Sequence, residues 1–184
     1  MKICIHAGHN PDGKVACGAV GYGKESTLAR EVCAYLEGYL AFYLNAEVVD
    51  VTCNNGTSAN DVLKKVIQKT NSENPNLSVS IHLNAATTNK AHGSEVWYYT
   101  GNISTAYLGD CICKELEKYG YHRRGVKPSR KLAVLRKIKC NSILVECAFV
   151  TSENDMNMFN SRRIAKGIAK GIAKYYNSKG VSKK

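Results

Sequence analysis

The chain has 184 residues, a hydrophobic content of 44%, a charged content of 22% and a formal net charge of +11. This composition is typical of one folded domain, and it excludes a disordered or collagen-like chain. No stretch approaches the roughly 18 uncharged apolar residues of a membrane-spanning helix. The positive charge favours a polyanionic partner, which leaves nucleic acid and anionic wall polymers open.

The pattern of apolar residues predicts alternating strands and helices. A strand over residues 1–6 leads into a glycine-rich loop, and a long amphipathic helix begins at Ser26 or Thr27, which are good N-cap residues. The later elements are predicted in this order: strand 47–51, helix 60–70, strands 77–83 and 95–99, helix 105–119, strands 132–135 and 142–146, and helix 164–176. The order predicts an α/β fold in a single domain, with a mixed, mostly parallel central sheet of about six strands flanked by helices on both faces.

The last predicted helix contains the repeat IAKGIAKGIAK, which places Ile164, Ile168 and Ile172 on one stripe and three lysines on another. Two interpretations are open: a helix packed on the core, or an amphipathic helix on a membrane surface. Two glycines and the small alanines provide little apolar bulk, which favours packing on the core. Residues 177–184 are predicted to be a basic tail or the start of a linker.

Eight cysteines are scattered through apolar or mixed segments. None forms a C-x-x-C pair, so a cysteine-based zinc finger is not expected. A domain of this size does not need disulfides, and free cysteine is among the side chains most often buried. We therefore expect reduced cysteines that lie mostly in the core.

Two histidines lie at or near the ends of predicted strands. His9 follows the first strand in the segment HAGHNPDG, and His82 lies on the polar face of the strand LSVSIHLNA. Open α/β sheets usually build their sites at the carboxyl ends of strands. A structural role explains either histidine alone, whereas two histidines at strand ends favour shared metal binding.

Two carboxylates complete the candidate site. Glu146 lies in the otherwise apolar strand NSILVECAF, where it is either the partner of a basic residue or a catalytic base. Glu25 precedes the long helix, where interaction with the helix dipole also explains it. His9, Glu25 and His82 together form a His, Glu, His set, a known composition of catalytic zinc sites that leave one coordination position open to water.

The sequence resembles the zinc-dependent N-acetylmuramoyl-L-alanine amidases, a family that includes phage endolysins and bacterial autolysins. Four blocks carry the resemblance in the family's order: AGHNPDG, KES, SIHLNA and ILVECAFVTSENDM. Weaker similarity in GSEVWYY and RRGVKPSRKLAVLRK extends it over residues 1–176, the expected catalytic domain. The chain departs from the family at His6, where many members have an aspartate. His92 and His122 match no ligand position and are expected to be structural.

The resemblance implies a role for each candidate residue. His9, Glu25 and His82 are expected to bind one catalytic Zn2+, and Glu146 is expected to be the catalytic carboxylate. In the implied reaction, the amide between the lactyl group of N-acetylmuramic acid and L-alanine of peptidoglycan is hydrolysed, which lyses the bacterial wall. The candidate cations that would assist the oxyanion are Arg130, Lys131 and Arg136.

The resemblance also implies where the protein acts. The protein is expected to be a monomer that acts on peptidoglycan. Its positive charge is expected to attract it to anionic wall polymers such as teichoic acid. Neither nucleic-acid binding nor membrane insertion is expected. Without a visible signal peptide, the chain is expected to be made in the cytoplasm and to act on the wall after release, as a phage lysin or an autolysin. Other functions stay open: a zinc peptidase that cuts the stem peptide, a non-catalytic basic wall-binding module, or a nucleic-acid binder.

Overall fold

The computed structural model describes residues 1–88 and 90–180. Its strands are β1 (Lys2–Ala7), β2 (Glu47–Asp50), β3 (Leu77–Asn84), β4 (Ser94–Tyr99), β5 (Arg123–Ser129) and β6 (Asn141–Phe149). They form a six-stranded sheet in the order β2-β1-β3-β6-β4-β5. β2, β1, β3 and β6 run parallel, whereas β4 is antiparallel to β6 and parallel to β5. The predicted α/β fold with a mixed, mostly parallel sheet is therefore confirmed.

The helices of the described ranges are α1 (Glu25–Leu44), α2 (Ala59–Glu73), α3 (Ile103–Glu117), α4 (Ala133–Lys137), α5 (Glu153–Met158) and α6 (Ser161–Ser178). α1, α3 and α6 pack together on one face of the sheet, and α2 and α4 cover the other. Side chains alternate between these faces: Ile143 and Val145 of β6 join the larger core, whereas Leu144 joins the smaller core under α4. The prediction of helices on both faces is confirmed, and six of the eight cysteines are buried.

The structure differs from the prediction at α4 and in the segment before it. Residues 132–135 are predicted as a strand, but Leu132 is the N-cap of α4 and residues 133–135 form its start, with Val134 and Leu135 buried against Leu144. The fifth strand in chain order is instead β5, whose sequence RRGVKPS has no apolar alternation and includes Pro128. β5 lies at the edge of the sheet, where proline and polar residues are tolerated because one side of the strand does not pair within the sheet.

The first long helix begins earlier than predicted. Glu25 is its first residue and Lys24 is the N-cap, so neither Ser26 nor Thr27 caps it. The carbonyl of Lys24 accepts hydrogen bonds from the backbone amides of Thr27 and Leu28, which draws Glu25 into the first turn. Its carboxylate therefore lies at the positive end of the helix dipole.

The closing helix α6 packs on the core, as predicted for its repeat. Ile164, Ile168 and Ile172 are fully buried. Gly171 lies against the backbone of Ile112 in α3, so the two helices approach closely where the repeat has glycine. The small residues that weaken a membrane-surface interpretation are therefore the ones that allow close helix packing.

The C-terminal end of α6 lies beyond the predicted one. The helix ends at Ser178 rather than Tyr176, so the predicted tail 177–184 begins inside α6. The last four residues of that tail lie outside the described residues. In the ranges that are described, no helix has both the length and the apolar character that crossing a bilayer requires.

We expect Gly171→Ala to destabilise the fold, because the added Cβ would lie 2.5 Å from Cα and 2.8 Å from the backbone N of Ile112. Overpacking of this kind costs about 1–3 kcal/mol, measured as a fall in the free energy of unfolding in urea. Gly38→Ala in α1 is the matched control: beyond the neighbouring backbone of its own helix, no atom lies within 4 Å of its added Cβ. The better helix propensity of alanine should therefore raise stability by up to ~1 kcal/mol. Unchanged stability of Gly171→Ala would contradict this close packing of α3 and α6.

Candidate metal centre

Two candidate ligands lie at the carboxyl ends of neighbouring parallel strands. β1 ends at Ala7, so His9 lies in the loop just beyond it, and His82 lies near the end of β3. The backbone amide of Gly8 donates a hydrogen bond to the carbonyl of Ile81, which brings the loop against β3. A Cβ at Gly8 would overlap the imidazole of His82. Glycine at this position therefore lets the two histidines approach each other.

The third candidate ligand, Glu25, comes from α1 and joins the two histidines. Its Oε1 atom is 3.2 Å from Nε2 of His9 and 2.9 Å from Nδ1 of His82. Ligand atoms of the three residues lie within 4.8 Å of one another, and no other such group of three occurs in residues 1–88 and 90–180. Atoms bound to one zinc ion at about 2.0–2.2 Å are roughly 3.4 Å apart in tetrahedral geometry. The donor types and their separations therefore fit a metal ion.

The carboxylate of Glu25 is held in place by the backbone around it. The residue is 5% exposed, its Oε2 accepts a hydrogen bond from the amide of Ala19, and its Oε1 accepts one from the amide of Leu83. Burial raises the pKa of Glu25, but hydrogen bonds with His82 and His9 outweigh burial and hold the pKa well below its usual range. The site thus contains a fixed negative charge between two imidazoles.

Glu146 lies on β6, where it pairs with His82 in the β3–β6 register and with Glu95 in the β4–β6 register. Its Oε2 atom is buried and has no hydrogen-bond partner in the described part of the chain. Burial raises the pKa of Glu146 to about 8, and the nearby carboxylates of Glu25 and Glu95 add to the shift. This carboxyl group is therefore able to change its protonation state near neutral pH.

Glu95 is a residue of this region that the sequence analysis does not identify. It is 3% exposed, and its carboxylate accepts hydrogen bonds from Asn84 Nδ2 at 3.1 Å, Trp97 Nε1 at 3.1 Å and Arg124 Nε at 2.8 Å. These donors stabilise a second negative charge beside Glu146. A charged residue at the start of a predicted strand is the sequence signal that marks Glu95.

Asn10, next to the first candidate ligand, is another residue that the sequence analysis does not identify. The side chain is fully buried. Its Nδ2 donates to the carbonyls of Val15 and Gly56, each at 2.7 Å, and its Oδ1 accepts a hydrogen bond from the amide of Gly56 at 2.9 Å. The loop that carries His9 is thereby fastened to the loop that follows β2.

A mostly apolar cavity of about 410 Å³ adjoins the two candidate histidines. It lies between α2 and α4, with Leu63 and Leu132 among its walls. Of the three candidate cations for assisting the oxyanion, Lys131 lines this cavity, whereas Arg130 and Arg136 do not. A ligand that reaches the candidate centre through the cavity would therefore pass Lys131.

The other histidines do not belong to the group of three. His6 is 2% exposed, and burial lowers its pKa to about 3, with a further contribution from His82, so its ring is neutral. The neutral ring of His6 therefore adds no charge beside His82. His92 and His122 pack against each other with ring centroids 5.0 Å apart.

Comparison with known proteins identifies sequence relatives. The profile of the family described as N-acetylmuramoyl-L-alanine amidase matches residues 3–175. An uncharacterized protein of Clostridium perfringens is 32% identical over 178 residues, which cover 94% of this chain and 51% of that protein. The chain spans about half the length of the first curated relatives that it matches.

Solved structures with the same fold cover nearly the whole chain. The catalytic domain of the CD27L endolysin targeting Clostridia difficile has a TM-score of 0.85 at 26% identity, over 94% of this chain and 96% of that one. An N-acetylmuramoyl-L-alanine amidase from Clostridium difficile 630 has a TM-score of 0.81 at 26% identity, over 97% of this chain and 98% of that one. With a family profile that matches residues 3–175, this chain belongs to the N-acetylmuramoyl-L-alanine amidase family.

Proposed function

We propose that this chain is a zinc-dependent amidase that hydrolyses the bond between the lactyl group of N-acetylmuramic acid and L-alanine in peptidoglycan. Membership of the amidase family supports the substrate and the class of reaction. The observation that carries the proposal is the convergence of His9, Glu25 and His82. Glu146 pairs with His82 in the β3–β6 register, and its buried Oε2 has no hydrogen-bond partner among the described residues.

His9, Glu25 and His82 are the proposed zinc ligands. Two imidazoles and one carboxylate are a ligand set of catalytic zinc sites, which keep one position open. When bound, zinc lowers the pKa of a bound water to about 7 and polarises the carbonyl that is attacked. The backbone amides of Ala19 and Leu83 orient the carboxylate of Glu25 from behind, so this ligand does not need to reorganise when the ion binds.

Glu146 is the proposed catalytic base and acid. A cation beside Glu25 would offset the repulsion that contributes to the raised pKa of Glu146, which favours its carboxylate form. The buried Oε2 would accept a proton from the attacking water. The same carboxyl group would return that proton to the amine of L-alanine as the amide bond breaks, so Glu146 ends in its starting state.

The surroundings of the site support two further parts of the proposal. Lys131 lines the cavity that also contacts His82, so it is the cation that we assign to the developing negative charge of the substrate. The net charge of +11 supports an additional attraction to anionic wall polymers such as teichoic acid. The division into a catalytic domain over residues 1–176 and a basic tail stays a prediction, as does action on the wall by a monomer released from the cell.

We expect the protein to release new N-terminal L-alanine from purified peptidoglycan, to lose this activity in a chelator and to regain it with added zinc, because the ligands hold the ion reversibly. Mass spectrometry of the digest identifies the bond that is cut. Cuts within the stem peptide would instead show a zinc peptidase. Binding to the wall without any cleavage would favour the non-catalytic wall-binding module.

We expect Glu146→Gln to lower kcat by about 10²- to 10⁴-fold, because the amide cannot accept and return the proton. The bound zinc, measured by elemental analysis, should stay at the wild-type stoichiometry, since the three proposed ligands are unchanged. Glu37→Gln, at an exposed glutamate of α1, is the control and should keep full activity. A Glu146→Gln variant as active as the wild type would rule out this residue as the base.

A further inference from the structure

Arg30 connects three segments of the chain that meet behind the candidate metal centre. It lies half-buried in the second turn of α1, five residues after Glu25. Its guanidinium donates hydrogen bonds to the carbonyls of His9 at 2.9 Å, Ser26 at 2.9 Å, Cys53 at 3.1 Å and Gly8 at 3.4 Å, and to Oδ1 of Asn54 at 2.8 Å. All of these acceptors are uncharged oxygen atoms, and four of them are backbone carbonyls. The planar guanidinium group of Arg30 therefore fixes the backbone of these segments rather than forming an ion pair.

The contacts with Gly8 and His9 hold both peptide groups that flank the candidate ligand. The Gly8 carbonyl belongs to the peptide group before His9, and the His9 carbonyl belongs to the one after it. Because Arg30 donates hydrogen bonds to both carbonyls, it restricts the φ and ψ angles of His9 together. This restriction matters because His9 has a φ of 65°, in the left-handed region that residues with a Cβ rarely adopt.

The contact with Ser26 links this loop to the first turn of α1. Ser26 follows Glu25 directly, so one guanidinium fixes the backbone beside two of the three candidate ligands. The contacts with Cys53 and Asn54 add the loop after β2, to which Asn10 is also bound through Gly56. The hydrogen bonds of the Arg30 guanidinium with the backbone near both residues therefore help to set the distance between His9 and Glu25, in addition to the direct contact of their side chains.

We propose that Arg30 is a positioning residue that holds His9 in its left-handed conformation, so that its imidazole meets Glu25 and His82 in a geometry ready for metal. This inference rests on the proposed zinc site and adds a residue to it. Without the guanidinium, the loop would relax towards an ordinary φ, and the His9 ring would leave the group of three. Residues that orient metal ligands from behind typically contribute about 10- to 100-fold to metal affinity.

The test compares zinc affinity with stability in the whole chain. Arg30→Lys keeps the positive charge but loses the planar guanidinium group, and Arg30→Gln loses both the charge and that group. The control is Arg162→Gln, at an exposed arginine of α6 that donates a hydrogen bond to Tyr39. The zinc dissociation constant is measured by competition with a chromophoric chelator, and the thermal midpoint is measured in excess chelator. We expect both Arg30 variants to bind zinc about 10- to 100-fold more weakly while Arg30→Lys keeps a near wild-type midpoint without metal.

A second comparison separates positioning from general weakening of the fold. In a His9→Ala background, Arg30→Lys should cause no further loss of zinc affinity, because Arg30 acts through His9. An equal further loss in that background would overturn the inference, as would zinc affinity within twofold of wild type for a folded Arg30→Lys protein. If Arg30→Gln does not fold, Arg30→Lys decides alone. A wild-type chain that binds no zinc would overturn the proposed function and the inference with it, whereas normal affinity in the Arg30 variants would overturn the inference alone.

Discussion

The parallel pairing of β1, β3 and β6 is the constraint on which the candidate site depends. Parallel neighbours bring their carboxyl ends to one edge of the sheet, so residues far apart in sequence meet there. The buried Val79 and Ile81 hold β3 in register, because a slip by one residue would turn them towards the opposite face. The same register keeps His82 beside Glu146. The hydrophobic core thus determines the geometry of a polar site.

Charge balance is the second constraint on this edge of the sheet. Three acidic side chains lie together here, and each is accommodated differently. Glu25 lies between two histidines, and Glu95 accepts a hydrogen bond from Arg124. Burial and the neighbouring carboxylates raise the pKa of Glu146, which favours its protonated form. A divalent cation among the proposed ligands would interact favourably with all three. Metal binding would therefore stabilise the folded chain as well as supply reactivity.

The accuracy of the predicted fold followed the strength of the apolar pattern. β3 and β6 cross the middle of the sheet and α6 buries a regular stripe, so their apolar pattern is strong and each element is predicted correctly in type. The structure extends β6 and α6 beyond the predicted residues at both ends. β5 is an edge strand of mixed polarity, and its backbone pairing with β4 is a non-local interaction that its own residues barely indicate. The short apolar run over residues 132–135 is compatible with a strand or a helix. In the structure it belongs to α4, where Val134 and Leu135 pack against Leu144 of the sheet.

The sequence by itself determined the identity of the candidate centre. His9, Glu25, His82 and Glu146 stand in the four sequence blocks that carry the resemblance to the amidase family. That resemblance assigns them to one centre, whereas the local pattern of each residue also fits a structural role. Only the tertiary structure decided how they are held. The contacts of Glu95, Asn10 and Arg30 join segments distant in the chain, and no local periodicity records which backbone carbonyl or buried carboxylate a side chain will meet after folding.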